Sequence, residues 1–213
     1  MTPDSLTISE TAEAWCVATI TERLRKDIYF GRLAPGAWLK QIELERLYRC
    51  NRILLRQALD HLAMEGLAVH EPNRGYRVPE YDACMVQDLL ETRVTLELAL
   101  LDSLPERVPP ETVARLLHLA EAMRAMQGSA TAPEYSDANI AFHRAIFEPC
   151  PNRFMVDLSF ELRHRVPIAV QRQRNTPDRI AQNMEEHFLM AEALRDGRRE
   201  DLRRILAVHI LHR

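Results

Sequence analysis

The 213-residue chain has no apolar run longer than a few residues, so no segment reads as a membrane span. Residues 1–10 carry neither a basic leader nor an apolar core, which predicts a cytoplasmic rather than an exported protein. Cys16, Cys50, Cys84 and Cys150 lie far apart and form no C-x-x-C pair, which argues against a disulfide framework or a thiolate zinc site. Reduced thiols, mostly buried, are expected instead. Repeats and low-complexity segments are absent, and a net charge of -3 gives no sign of a nucleic-acid partner.

The local charge and periodicity say more. Between Lys40 and Val78 seven Lys/Arg stand against five Asp/Glu, a small basic excess in a chain that is acidic overall. From Thr11 to Arg32, Ala14, Trp15, Ala18, Ile20, Leu24 and Ile28 recur at helical spacing until Gly31, Pro35 and Gly36 end the segment. A short helix fits Gln41 to Tyr48. A third fits Asn51 to Glu65, with Asn51 as its cap and Leu55, Leu59 and Leu62 as its inner stripe. The period then changes: residues 67–71, the turn Pro72-Asn73-Arg74-Gly75 and residues 76–78 read as a hairpin. Three helices followed by a hairpin is the order of a winged helix-turn-helix. After Pro79 the pattern is helical throughout, broken at 105–110, 127–133, 149–152, near Pro177 and at Asp196-Gly197. The expected architecture is mainly α, with a DNA-binding domain over 1–79 and an all-helical bundle over 80–213.

Several segments carry a family resemblance. Residues Ile28 to Leu39 follow the pattern I..G.L.PG..L, Arg52 to Leu62 lead into Met64-Glu65-Gly66-Leu67, and the hairpin reads Arg74-Gly75-Tyr76-Arg77-Val78. Arg93 to Glu97, Asn139 to His143, Pro151-Asn152, His187 and His209 continue it through the second half. In these the chain resembles a GntR-family regulator of the FadR type. The resemblance implies a bacterial transcription regulator joining a winged helix to a helical FCD-type domain that binds an effector and dimerises. Two departures matter. The recognition helix reads Asn51-Arg52-Ile53-Leu54-Leu55-Arg56-Gln57-Ala58-Leu59, where the family usually has Ser-Arg-x-Pro-Val-Arg-Glu-Ala-Leu. Gln41 and Ile42 replace the usual Glu and, in some members, a basic DNA-contacting residue, so no relative's operator carries over. The chain ends four residues after His209, and a shortened last helix is expected.

Arg52 and Arg56 are four apart and share one helix face, away from the leucine stripe. Their forks suit guanine in the major groove. Asn51 is placed to bond a phosphate or a base, and Arg74 and Arg77 flank Gly75 in the wing, where they can follow phosphates or enter the minor groove. Taken alone, an arginine pair on a helix is more often a solvated face; the helix order and the resemblance turn the reading toward DNA.

In the second half, His187 falls in the stripe Ile180, Met184, His187, Ala191, Leu194, and His209 in Leu202, Ile205, Leu206, His209. The turn at Asp196-Gly197-Arg198 makes these helices antiparallel, with each imidazole about 15 Å from it, so the two rings are level. Asn139 and His143 form an i, i+4 pair beside Phe142 and Ile146. Three imidazoles and an amide oxygen suit a divalent ion of the zinc, nickel or manganese type. Hydrogen-bonded core histidines are the alternative. The resemblance implies a metal held by three histidines and an Asp; Asn139 takes the acidic position, which lowers the expected affinity. Arg93, in line with Leu89, Leu96 and Leu100, needs an anion: either Glu97 or the carboxylate of an organic-acid effector. His61, His70, His118, His164 and His212 find no partners at ligand spacing.

The resulting expectation is a homodimeric regulator, a repressor by preference, that binds a pseudo-palindromic operator and responds to a small carboxylate. It should reside in the bacterial cytoplasm with the nucleoid, and no catalysis is required. Two rivals remain. A metal-dependent hydrolase built on the histidines lacks an acid/base, because Glu185 and Glu186 flank His187 but should point off its face. The other is a dimeric DNA-binding protein without an effector.

Overall fold

A computed structural model describes residues 16–126, 131–168, 170 and 177–211, without the side chains of 132, 177, 178 and 180. Ala14 and Trp15 therefore lie outside the described residues, as do His212 and the side chain of Ile180. Two compact units separate, one ending at Pro79 and the other beginning at Glu80, except that Tyr29–Arg32 group with the second.

In the first unit, α1 (Val17–Tyr29), α2 (Gln41–Tyr48) and α3 (Arg52–Met64) enclose a core of Ile20, Leu24, Ile28, Leu44, Tyr48, Leu55, Leu59 and Leu62. Helix α2 stops because Arg49 turns left-handed (φ 51°), its N–H reaching back to the Glu45 carbonyl. Asn51 then caps α3, its side-chain oxygen accepting the Leu54 N–H at 2.9 Å. Strands β1 (Val69–Glu71) and β2 (Gly75–Arg77) pair antiparallel in the register Val69↔Arg77, His70↔Tyr76, Glu71↔Gly75. Gly75 sits at φ +99°, a conformation that side chains rarely adopt, which is why the tip needs glycine. The strands are shorter than expected: Leu67, Ala68 and Val78 turn into the core instead, and Val78 bonds Ala37 outside the ladder. Leu39 donates to the Tyr76 carbonyl at 2.8 Å, tying the segment before α2 to the hairpin.

The second unit is helical among the described residues: α4 (Ala83–Asp102), α5 (Pro110–Ala125), α6 (Ala132–Phe147), α7 (Arg153–Arg165), α8 (Pro177–Arg195) and α9 (Arg199–Leu211). Local chemistry sets the starts. Asp82 caps α4, Pro110 opens α5, Thr131 and Glu134 form a capping box on α6, and Asn152 caps α7. Gly197 (φ +69°) turns the chain between α8 and α9, with Arg198 N–H on the Ala193 carbonyl at 2.8 Å. Helix α8 packs on α5 and α9, and α4 packs on α7 and α9. No helix of the described residues is long and apolar enough to cross a membrane.

Two expectations need correction. The buried stripe of α4 is Val86, Leu90, Arg93, Glu97 and Leu100, not Leu89 and Leu96. This helix carries leucines on both faces, so periodicity alone leaves its rotation ambiguous by one residue. The cysteines are free, but only Cys150 is buried; Cys16 and Cys84 are exposed and Cys50 lies between.

Candidate metal centre and nucleic-acid interface

Helices α6, α8 and α9 bring His143, His187 and His209 together, all of them buried and with candidate ligand atoms within 4.8 Å of one another. The Nε2 atoms of His143 and His209 are 3.2 Å apart, and His187 Nε2 lies 2.8 Å from Asn139 Oδ1. Around an ion with bonds of about 2.1 Å, neighbouring ligand atoms stand about 3 to 3.4 Å apart; the 3.2 Å separation falls in that range and the 2.8 Å one just below it, so a small outward shift of Asn139 fits both to one coordination sphere. Phe142 closes one side, its ring centroid 4.7 Å from that of His187.

The outer hydrogen bonds fix which nitrogen carries the proton. His209 Nδ1 is 2.9 Å from Glu186 Oε2, an acceptor, and His187 Nδ1 is 2.6 Å from the Asn183 carbonyl. Both rings therefore donate outward from Nδ1 and keep an Nε2 lone pair facing inward. His187 Nε2 thus faces the amide of Asn139 as an acceptor. With its oxygen turned inward the amide offers a second lone pair, and a cation between them relieves the repulsion. Burial pushes His143 and His187 well below the usual imidazole pKa. Positive Arg163 and the neighbouring imidazoles add to the effect on His143. Neutral imidazoles are the form that ligates.

Beside the cluster lies an ionic group with two cations and one anion. Arg93 Nε donates to Glu97 Oε1 at 2.7 Å, and Arg163 Nη2 bridges both Glu97 oxygens at 3.0 Å, while Glu97 is 0% exposed. Burial, then the nearby Arg93, pushes Arg163 down to about 10, so it stays charged at neutral pH. Its Nε is buried without a hydrogen-bond partner. Glu97, one of the two anions weighed for Arg93, is thus bonded to it, and among the described residues this group holds two cations to one anion.

Glu186 corrects the expectation that both acidic neighbours of His187 point away. Glu185 is exposed, but Glu186 is buried between His209 and Arg179, whose Nη1 and Nη2 lie 2.7 and 2.9 Å from its two oxygens. Its side chain is long enough to cross from α8 to α9, which helix-face arithmetic does not capture.

In the first unit Arg52 and Arg56 are exposed on α3 with Ile53 between them, 70% exposed. Arg52 Nε reaches the Gln41 side chain at 3.2 Å, and Arg56 lies near the Tyr76 hydroxyl, which donates to Asp60. Asn51 spends its oxygen on the helix cap. Arg74 is exposed, stacks over Trp38 at 4.9 Å and reaches Glu71 at 3.4 Å, while the less exposed Arg77 is held by Glu71 at 2.6 Å at the base of the wing. His70 stacks on Tyr76. His61, His118 and His164 lie outside the histidine cluster.

Residues 17–78 match the model of the bacterial regulatory proteins of the gntR family, and residues 88–212 match the FCD domain. The chain belongs to the GntR family, in its FCD-bearing branch. GntR-family membership makes it a DNA-binding transcriptional regulator with a C-terminal effector-binding domain, not an enzyme. It is 27% identical over 201 residues to the HTH-type transcriptional regulator BphR of Paraburkholderia xenovorans, covering 89% of this chain and 80% of that one. It is 36% identical over 94 residues to an HTH-type regulator in an unstable DNA locus of Streptomyces ambofaciens, a match spanning 44% of this chain and only 40% of that protein. The solved structure of E. coli McbR/YncC superposes with a TM-score of 0.78 at 21% identity, covering 92% of this chain and 93% of that one; the likeness is one of fold. For this GntR-family chain, sequence reasoning missed Ile53, Arg163, Arg179 and Glu186. An apolar residue interrupting a polar helix face was the available signal for Ile53, and the i, i+7 spacing of Arg179 and Glu186 on one helix was a weak one for that pair; Arg163 declares itself only through Glu97, 66 positions away.

Proposed function

We propose that the protein is a homodimeric regulator whose two winged helices bind a pseudo-palindromic operator, and whose helical domain senses a small carboxylate at a divalent metal. In this reading residues 1–79 bind DNA and residues 80–213 bind the effector and dimerise. Asn139, His143, His187 and His209 hold the metal. Three imidazole Nε2 atoms, two of them with inward lone pairs, and an amide oxygen, gathered in a buried site, are the observation that carries it. Zinc, nickel and manganese all accept such a nitrogen-rich donor set; the bound ion would supply open positions for a carboxylate oxygen. The leftover positive charge of Arg93 and Arg163 favours an anionic effector in the same region.

On DNA, Arg52 and Arg56 are assigned to base edges, Ile53 to apolar contact with a thymine methyl, and Arg74 with the Gly75 backbone to the sugar-phosphate or minor groove. Asn51 and Arg77 are assigned chiefly to shaping the surface, since the Asn51 oxygen caps the helix and Arg77 pairs within the wing. Because the winged helix has its own core, operator binding does not wait for an effector, and we read the sign as repression relieved by ligand. In the same reading the protein works in the bacterial cytoplasm, at the nucleoid, where its DNA partner lies.

The experiment is a thermal-shift screen of zinc, nickel and manganese, each with and without small mono- and dicarboxylates, followed by operator binding with the best pair. The reading expects metal to raise the melting temperature, a carboxylate to raise it further only with metal present, and that carboxylate to release operator DNA. Carboxylates that act equally without metal would contradict it.

A further inference from the structure

The ion pair Arg179–Glu186 is buried and spans two turns of α8. A buried ion pair is weak evidence of a stabilising role, since apolar residues of similar volume often serve as well or better. What this pair does touch is α9. Glu186 Oε2 accepts from His209 Nδ1 at 2.9 Å, and Arg179 Nη2 lies 3.5 Å from the carbonyls of Val208 and His209. The guanidinium therefore grips both the backbone of His209 and the carboxylate that holds its ring.

We infer that Arg179 and Glu186 are positioning residues for the metal centre: together they lock His209 as the Nδ1–H tautomer, aim its Nε2 at His143, and present negative charge to its ring. The inference rests on the metal reading above. Its physical case is the charge of the donor set. Three neutral imidazoles and one amide bring no negative charge to a cation, and in a buried site water screens little. Glu186 is the carboxylate that directly bonds one of the three rings, and a carboxylate on the far nitrogen raises the basicity of the ligating one. His187 has only the Asn183 carbonyl on its Nδ1, and His143 Nδ1 is buried without a hydrogen-bond partner, so His209 is the ring whose outer bond carries charge. Arg179, bonded to both Glu186 oxygens, holds that carboxylate in place.

The test uses the full chain carrying Arg179→Met with Glu186→Leu, which removes both charges together and leaves no buried ion unpaired. Arg179→Met with Glu186→Gln is the second variant; it keeps an acceptor for Nδ1–H and removes only the charge. Zinc affinity is measured by competition with a chromophoric chelator, and the His209 tautomer by nitrogen-15 NMR of the ring in the metal-free protein. The expected results are a 10- to 100-fold loss of affinity (on the order seen for outer-shell partners) in the Met/Leu variant and a smaller loss in the Met/Gln variant. His209 should carry its proton on Nδ1 in the parent and the Met/Gln variant, and shift toward Nε2–H in the Met/Leu variant. Unchanged affinity and an unchanged tautomer in the Met/Leu variant would overturn the inference, as would an Nε2–H tautomer in the parent. Failure of the metal reading looks different: the parent itself binds no zinc, which overturns the affinity half while the tautomer still decides the positioning half.

Discussion

His187 Nε2 stands 2.8 Å from Asn139 Oδ1 across the space between α6 and α8, and the bond from its Nδ1 to the Asn183 carbonyl leaves that Nε2 without a proton. A neutral amide at this point, rather than a carboxylate, makes the affinity of the centre depend on geometry more than on charge.

Stability without metal should depend on pH. His143 and His187 are held well below the ordinary imidazole value by burial, then by positive Arg163 for His143 and by His209 for His187. Above about pH 6.5 neither the folded nor the unfolded chain protonates them, and their contribution is constant. As pH falls below that value, the unfolded chain takes up protons that the folded one refuses, so stability declines until the depressed folded values are reached. The slope approaches about 1.4 kcal/mol per pH unit for each histidine. Urea unfolding in a chelator between about pH 8 and pH 5 measures this. A curve that stays flat, or rises toward acid, contradicts the burial of neutral rings.

Arg163→Met should weaken binding of the carboxylate effector at least tenfold while operator binding by the ligand-free protein persists, because it leaves Arg93 and Glu97 as a balanced pair. Arg93→Lys should also weaken it, since an ammonium loses the planar fork. Calorimetry with the effector identified by thermal shift provides the comparison. Equal affinity in both variants would assign these arginines to Glu97 alone.

Replacing Arg52 or Arg56 by Ala should lose ~1–3 kcal/mol of binding at the selected operator and much less on random DNA. Fluorescence anisotropy on both DNAs at one salt concentration separates the cases. Equal losses on the two would reassign the pair to phosphates.

Ile53 allows a test at the level of one methyl group. Thymine and uracil differ at C5 alone, so replacing thymines one by one with deoxyuridine in each half-site should weaken the parent protein several-fold at one position. Ile53→Ala should be insensitive to that same replacement. A uracil effect that persists undiminished in the Ala variant would rule out the contact.

Much of this was legible in the chain. The order of three helices and a hairpin followed from where the apolar period changes, and the helix breaks after Pro79 were marked by Pro, Gly and capping residues such as Thr131 and Asn152. His187 and His209 could be set level because both helices leave the one turn at Gly197. The rotation of α4 was not legible, since leucines line both of its faces and only packing decides that Leu90 and Glu97 turn inward. Arg163 was invisible for another reason: it meets Glu97 from 66 positions away. Glu186 was misjudged because a face assignment follows Cβ direction, whereas a glutamate reaches several ångströms beyond it.

Metal content after mild chelation, determined by elemental analysis for the parent, Asn139→Asp and His187→Ala, tests the central claim most directly. Asn139→Asp adds an anionic oxygen to an otherwise neutral, buried donor set and should retain the most metal. His187→Ala removes one of only three imidazoles and should retain the least, with the parent between them. Equal retention by all three proteins, or a parent that takes up no metal even at saturation, would contradict the account and leave His143, His187 and His209 as a hydrogen-bonded core.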